Sequence, residues 1–259
     1  MLNGLDRRPS GGRGFVFMHR SGLVPIGGLA LALLCAAAAI LAGLGSRWGW
    51  WHFRTGFQIL TWAAYGGVAA GAVSLAGIVM ALVRAPRRGL LPASIGLALG
   101  LVVAGIPWQL KLTAQRVPPI HDITTDTENP PAFVAVVPLR KDAPNPAEYG
   151  GPEIAAQQLV AYADVKPVLL NVSPEQAFGK ALAAARDMGW EIVEANATGG
   201  RIEATDTTFW FGFKDDVVIR IRAADQGSRI DVRSVSRVGK SDVGTNAKRI
   251  RAYIERLTG

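Results

Sequence analysis

The tetrapeptide VGKS at 238–241, inside RSVSRVGKSDVGTN at 233–246, reproduces the tail of a nucleotide-binding loop between a strand pattern and a helix pattern. A phosphate-cradling P-loop requires Gly-x-x-x-x-Gly-Lys-[Ser/Thr]. Five residues before Gly239 stands Ser234, so the first glycine is missing. The strand ahead of it also reads as one arm of an antiparallel hairpin, whereas a P-loop follows a strand of a parallel sheet. Nucleotide binding is rejected. What remains is a strand-to-helix corner where Ser241 or Asp242 caps the last helix, with Arg233, Arg237, Asn246 and Arg249 nearby in the chain. Free N–H groups at a helix start can hold an anion, although a capping aspartate fills the same role from within.

A second group with chemical potential is acidic: His121, Asp122 and Asp126, with Glu128 close behind. Two or three ligands in a loop make a poor metal signal, and a solvated turn explains them as well. Asp122, Asp126, Asp215 and Asp216 could serve an envelope hydrolase as paired carboxylates, if their separation suited the chemistry. The adjacent pair Asp215 and Asp216 points to opposite sides of a strand, which argues against joint action. Cys35 is the sole cysteine and lies in an apolar run, and His19, His52 and His121 have no ligand-like spacing. No catalytic residue, metal or cofactor is assigned.

The elements that position these residues follow from pattern. SPEQ at 173–176 combines an N-cap serine, a proline at the first helical position and Gln at the capping-box place. Phe178, Ala181, Leu182, Ala185 and Met188 then form one helical face, closed by Gly189. WEIVEA, RIEATDTT, FWFGF, DDVVIRIRAA and RIDVRSVSR read as strands separated by NATGG and DQGS turns. A last helix carries Val243, Ala247, Ile250, Ile254 and Leu257 as a stripe. The order β-α-β-β-β-β-β-α predicts an antiparallel sheet with two helices on one face. Val217, Ile219, Ile221, Ile230 and Val232 lie under the helices, while Val218, Arg220, Arg222, Asp231, Arg233, Val235 and Arg237 form an arginine-rich far face. That face reads either as a solvated surface with cross-strand Arg–Asp pairs or as a binding surface for a lipid phosphate or carboxylate.

The N-terminal part is of another kind. Apolar runs at about 23–45, 57–83 and 90–110 each suit one bilayer crossing; a cleaved signal peptide is the alternative for the first, whose run is longer than a usual h-region. The formal charge of +8 resides here, since residues 1–110 hold nine Lys+Arg and one acid, Asp6, while 111–259 is balanced. Nucleic-acid binding is therefore not indicated. Arg7, Arg8, Arg13 and Arg20 of the tail lie on the same side as Arg84, Arg87 and Arg88, against Arg47 and Arg54 on the other. This bias places the N-terminus in the cytoplasm and the C-terminal domain outside it. Trp48, Trp50, Trp51 and Phe53 read as an interfacial aromatic belt. Gly67/Gly71 and Gly96/Gly100 permit close packing of spans two and three, or self-association. No ionisable group within a span marks a transport path. The segment 111–152 is proline-rich and extended, either wrapped over the domain or a linker.

From HDITTDTENPPAF onward, and most distinctively in GFKDD at 212–216, SVSRVG at 234–239 and SDVGTN at 241–246, the chain resembles the family catalogued as domain of unknown function 1499. The resemblance covers about 118–257. It implies a small α/β domain, often in secreted or membrane-attached bacterial proteins, and no established activity or catalytic residues. The expected protein has three transmembrane helices and a C-terminal α+β domain at 153–259. It is a multi-pass protein of the bacterial inner membrane whose periplasmic domain acts as a binding or interaction module. An envelope hydrolase and an anionic-ligand binder stand as alternatives; the bilayer and a protein partner are its expected associates.

Overall fold

The computed structural model describes residues 23–83, 87 and 89–259. The basic tail with Arg7, Arg8, Arg13 and Arg20, together with Arg84 and Arg88, lies outside the described residues. The chain divides into two compact units, one of 1–46 with 51–108 and one of 47–50 with 109–259.

The first unit is built on three long apolar helices, α1 (Leu23–Arg47), α2 (Phe53–Val83) and α3 (Leu90–Arg116), whose apolar 18-residue stretches have mean hydropathies of 2.4, 2.1 and 2.0. Each is long enough to cross a bilayer. Large side chains such as Trp62, Val79 and Leu101 point outward, and the helix contacts are made by small ones: Gly28, Ala32, Gly67, Ala70, Ser74, Gly96 and Gly100. A Cβ added to Gly67 would stand 2.9 Å from the Gly100 carbonyl oxygen, and one on Gly100 would stand 2.6 Å from that of Gly67. Likewise, Gly28 and Gly96 each leave room for the Ser74 hydroxyl. The glycines singled out by spacing are thus taken up between helices of one chain, where their small size lets the backbones approach closely. Trp51 folds back on α1, its Nε1 donating to the Ala42 carbonyl at 3.1 Å.

In the second unit a six-stranded antiparallel sheet is assembled from β1 (Asp122–Thr124), β2 (Val168–Leu170), β3 (Glu191–Asn196), β4 (Arg201–Thr207), β5 (Lys214–Ala224) and β6 (Gly227–Ser236). The order is β1-β6-β5-β4-β3, and β2 also pairs with β6, so two short strands lie end to end on its outer edge. The sheet is open. Helices α4 (Pro152–Ala161), α5 (Pro174–Asp187) and α6 (Thr245–Thr258) complete the unit. The α5 start carries the expected capping box, with Ser173 and Gln176 exchanging backbone and side-chain bonds.

Ala181 and Phe178 of α5 with Ile250, Tyr253 and Leu257 of α6 bury Ile202, Val217, Ile219, Ile230 and Val232 from one sheet face. Each isoleucine sealed there contributes about 1.5–3 kcal/mol relative to exposure. Tyr253 ties the helices together by stacking on Trp190 at 5.2 Å and donating its hydroxyl to the Ala181 carbonyl.

Two elements differ from expectation, and the proline-rich segment takes one of the two forms left open. FWFGF is a turn: the Gly212 N–H returns to the Thr208 carbonyl, and Gly212 takes φ +69°, which a strand residue does not. The helix α4 begins directly after Gly151 with Pro152 at its first position. The proline-rich segment is wrapped onto the domain, since it contributes β1 and a 3-10 turn at Val137–Arg140 to the far sheet face.

Candidate functional site

The alternation along β5 and β6 sends arginines to the far face, as their pattern requires, but that face is not open. Phe133 and Val136 of the proline-rich segment, with Ala147 beside them, pack on Val218 and Val235 and form a second small core. Around it the charged side chains close into internal pairs.

Arg233 lies at the centre. Its Nε and Nη2 donate to the two oxygens of Asp122 at 2.8 and 2.7 Å, Nη1 donates to the Pro131 carbonyl at 3.2 Å, and Nη2 also donates to the Ala147 carbonyl at 2.8 Å. The Phe133 and Tyr149 rings stand 5.0 and 5.4 Å from its central carbon. Only 2 % of Arg233 is exposed, so any anion would have to displace Asp122 to reach it. Burial, and then the neighbouring Asp122 charge, push the Tyr149 hydroxyl up to about 12 against a smaller opposing pull from Arg233, so it remains a neutral phenol.

Asp216 forms the next set. Oδ2 accepts from Arg140 Nη1 and from Arg237 Nε at 2.9 Å; Oδ1 accepts from Thr205 Oγ1 at 2.7 Å and Arg237 Nη2 at 2.8 Å. Burial pushes this carboxyl up, yet the hydrogen bonds from Arg237, Thr205 and Arg140 outweigh it and hold the group below the ordinary aspartate value. A carboxylate so held is no general acid at neutral pH.

Asp215, its neighbour, points to the helix side and accepts from Arg249 Nη2 at 2.6 Å, while Arg249 Nε donates to Asp206 at 2.8 Å. Arg249 Nη1 donates to Asn246 Oδ1 and Ser234 Oγ, and Asn246 Nδ2 donates to the His121 carbonyl and Ser236 Oγ. At the start of α6 the Asp242 carboxylate accepts from Gly244 N at 2.8 Å and Asn246 N at 2.6 Å. Burial raises its pKa despite those two bonds. Ser241 Oγ accepts from Val243 N and donates to the Pro118 carbonyl.

The remaining cluster is the more exposed one. Asp126 and Asp231 are shared by Arg220, Arg222 and Arg229, with Arg220 Nη2 and Arg229 Nη2 each 3.0 Å from Asp126 Oδ2. Arg222 and Arg229 side chains keep 42 % and 36 % exposure.

The six corner residues chosen from sequence therefore divide among three sets of partners: Arg233 with Asp122, Arg237 with Asp216, and Arg249 with Asn246, Asp206 and Asp215 beside the Ser241–Asp242 turn. The acidic trio also separates, since Asp122 and Asp126 have different arginine partners and His121 Nδ1 lies 3.3 Å from the Lys240 carbonyl. Among the described residues no group of three or more His, Cys, Asp or Glu side chains is arranged to hold a metal ion. Sequence reasoning passed over Glu203 and Arg140. Glu203 is fully buried, accepts the Val134 and Val136 N–H groups at 2.8 and 2.9 Å, and pairs with Arg201. Its one sequence signal is an acid flanked by the core-facing Ile202 and Ala204, on the far face of β4.

The model of the family described as "Protein of unknown function (DUF1499)" matches residues 122–257, more than half of the chain and nearly all of the sheet unit after α3. No curated protein and no solved structure matches the chain.

Proposed function

We propose, from the premise that the chain belongs to the DUF1499 family of proteins of unknown function, that it is a membrane-anchored binding or interaction module of the bacterial envelope. Its three apolar helices are the anchor, in the inner membrane, and the basic bias of the tail and second connection directs the sheet unit to the periplasmic side. One observation carries the reading. Asp122, Asp126, Asp215 and Asp216, the carboxylates an envelope hydrolase would use, are each held by arginines within the domain. Groups committed in this way organise a surface and do not shuttle protons.

Two measurements on the full-length protein test it. A periplasm-dependent reporter fused after Gly259 is expected to be active; activity only of a cytoplasm-dependent reporter overturns the orientation. Incubation with envelope glycans and esters is expected to give no turnover that Asp122→Asn or Asp216→Asn abolishes while the fold is kept; such turnover would establish the hydrolase instead.

A second reading has its own support: Arg222 and Arg229, partly exposed, stand with Arg220 over only two carboxylates. An anionic headgroup or carboxylate would be taken there, and not at buried Arg233. Substituting both Arg222 and Arg229 with Ala would then weaken binding to anionic lipid vesicles at constant salt.

A further inference from the structure

The two ends of the sheet differ in composition. In the register across the sheet, Asp122 of β1 faces Val235, Val235 faces Asp216, and Asp216 faces Thr205. The β4–β5 connection, residues 208–213, therefore lies at the end where the chain enters β1. The tight turns at 197–200 and 225–226 lie at the other end.

That connection is TFWFGF. It is closed firmly at its base, with Thr208 N donating to the Phe213 carbonyl at 2.8 Å and Phe213 N donating to Thr208 Oγ1 at 2.9 Å. Phe211 stacks on Phe213 and meets Trp210 edge-on. Phe209, at the tip, is 82 % exposed. Arg47 Nη1 donates to the Thr208 and Phe209 carbonyls at 2.9 and 2.8 Å, with its guanidinium 5.9 Å from the Phe209 ring centre, and the ring itself is left largely outside.

The same end is basic. Arg237 N donates to the Lys214 carbonyl, the Lys240 carbonyl lies against His121, and Asp242 N donates to the Ile120 carbonyl. Lys214 and Lys240 are exposed there, as is Arg116 at the end of α3. Only five residues separate Arg116 from Asp122, a leash of at most about 20 Å when fully extended. The end with the aromatic turn is thus the one tethered to the last apolar helix, and its exposed cations complement anionic headgroups.

We infer that the 208–213 turn is an interfacial anchor, inserting Phe209 among the headgroups of the bilayer that the three helices cross, with Lys214 and Lys240 against anionic lipid. Aromatic rings are favoured at that depth, and flanking basic residues add attraction to an acidic leaflet. The inference rests on the reading of the helices as spans.

The test uses the full chain in lipid nanodiscs containing anionic lipid, with Cys35→Ala and single cysteines carrying an environment-sensitive dye. Labels replace Lys214 beside the turn, Thr198 at the opposite sheet end and Trp62 on α2. Headgroup-level nitroxide lipids are expected to quench the 214 label several-fold more than the 198 label, and adding Phe209→Asp is expected to remove most of that difference. Equal quenching at 214 and 198, or no effect of Phe209→Asp, overturns the anchor. Deep acyl quenchers acting on the 62 label while the 214 label stays water-like would sink the anchor and leave the spans intact. A 62 label untouched by lipid quenchers would remove the spans and the anchor together.

Discussion

The guanidinium of Arg233 meets the carboxylate of Asp122 side by side, at 2.8 and 2.7 Å, although 111 residues separate them and both side chains are almost sealed from solvent. The pair fastens the proline-rich segment to β6. Arg233→Met should leave Asp122 charged and buried without its partner, destabilising the domain by about 3–5 kcal/mol. The double change Arg233→Met with Asp122→Leu should recover a large part of that loss. Denaturant unfolding in detergent of the natural chain, Arg233→Met, Asp122→Leu and the double variant measures the coupling. If Arg233 instead served an external anion, Arg233→Met would leave stability nearly unchanged and weaken anion binding.

Asp216 makes the domain acid-sensitive in a definite direction. Its folded pKa lies below the ordinary value of 3.8, because hydrogen bonds from Arg237, Thr205 and Arg140 outweigh burial. A depressed carboxyl contributes stability that is fully present above the unfolded pKa and lost as the pH falls through the lower folded value. The melting temperature of Asp216→Asn should therefore lie furthest below that of the natural chain at neutral pH. The gap should narrow as the pH falls below 3.8. A gap that widened on acidification would reverse the assigned sign.

The helices and long strands were legible because their period is intrinsic to the sequence: Val217, Ile219 and Ile221 alternate, and Ala247, Ile250 and Leu257 recur at helical spacing. The covering of the far face was not. β1 has three residues, too few for alternation to show, and each arginine's partner lies far along the chain, Asp122 for Arg233 and Arg140 for Asp216. FWFGF has strand composition, and only the demand for a left-handed residue at Gly212 makes it a turn. The α4 start, by contrast, carried a readable signal in Gly151-Pro152.

In the helical unit, Gly100 and Gly105 make opposite predictions. A Cβ at 100 would meet the Gly67 carbonyl oxygen at 2.6 Å and Gly71 N at 3.0 Å, backbone atoms that cannot swing aside. At 105 nothing lies within 4 Å. Gly100→Ala should part α2 from α3 and weaken the bundle by about 1–3 kcal/mol. Gly105→Ala should be neutral or stabilise by up to about 1 kcal/mol through helix propensity. Detergent-titrated unfolding followed by circular dichroism separates them; equal behaviour would mean that the α2–α3 contact is not close in solution.

Val243 offers a change for the better. Its spacing from Ala247 assigns it to the apolar stripe of the last helix, but α6 begins at Thr245, and Val243 sits in the turn before it at φ +54°. The left-handed region costs an ordinary residue roughly 1–2 kcal/mol, and a β-branched one is crowded there most of all. The turn persists because Asp242 accepts two N–H groups across it and Ser241 Oγ accepts from Val243 N. Val243→Asn, which tolerates this conformation and leaves those three bonds in place, should raise stability by about 1 kcal/mol after loss of half-buried apolar contact. Gly244→Val, at φ +79° and 3.4 Å from the Tyr162 hydroxyl, should lower it. Thermal melts of the two variants give opposite signs if backbone strain governs this corner, and two losses if packing does.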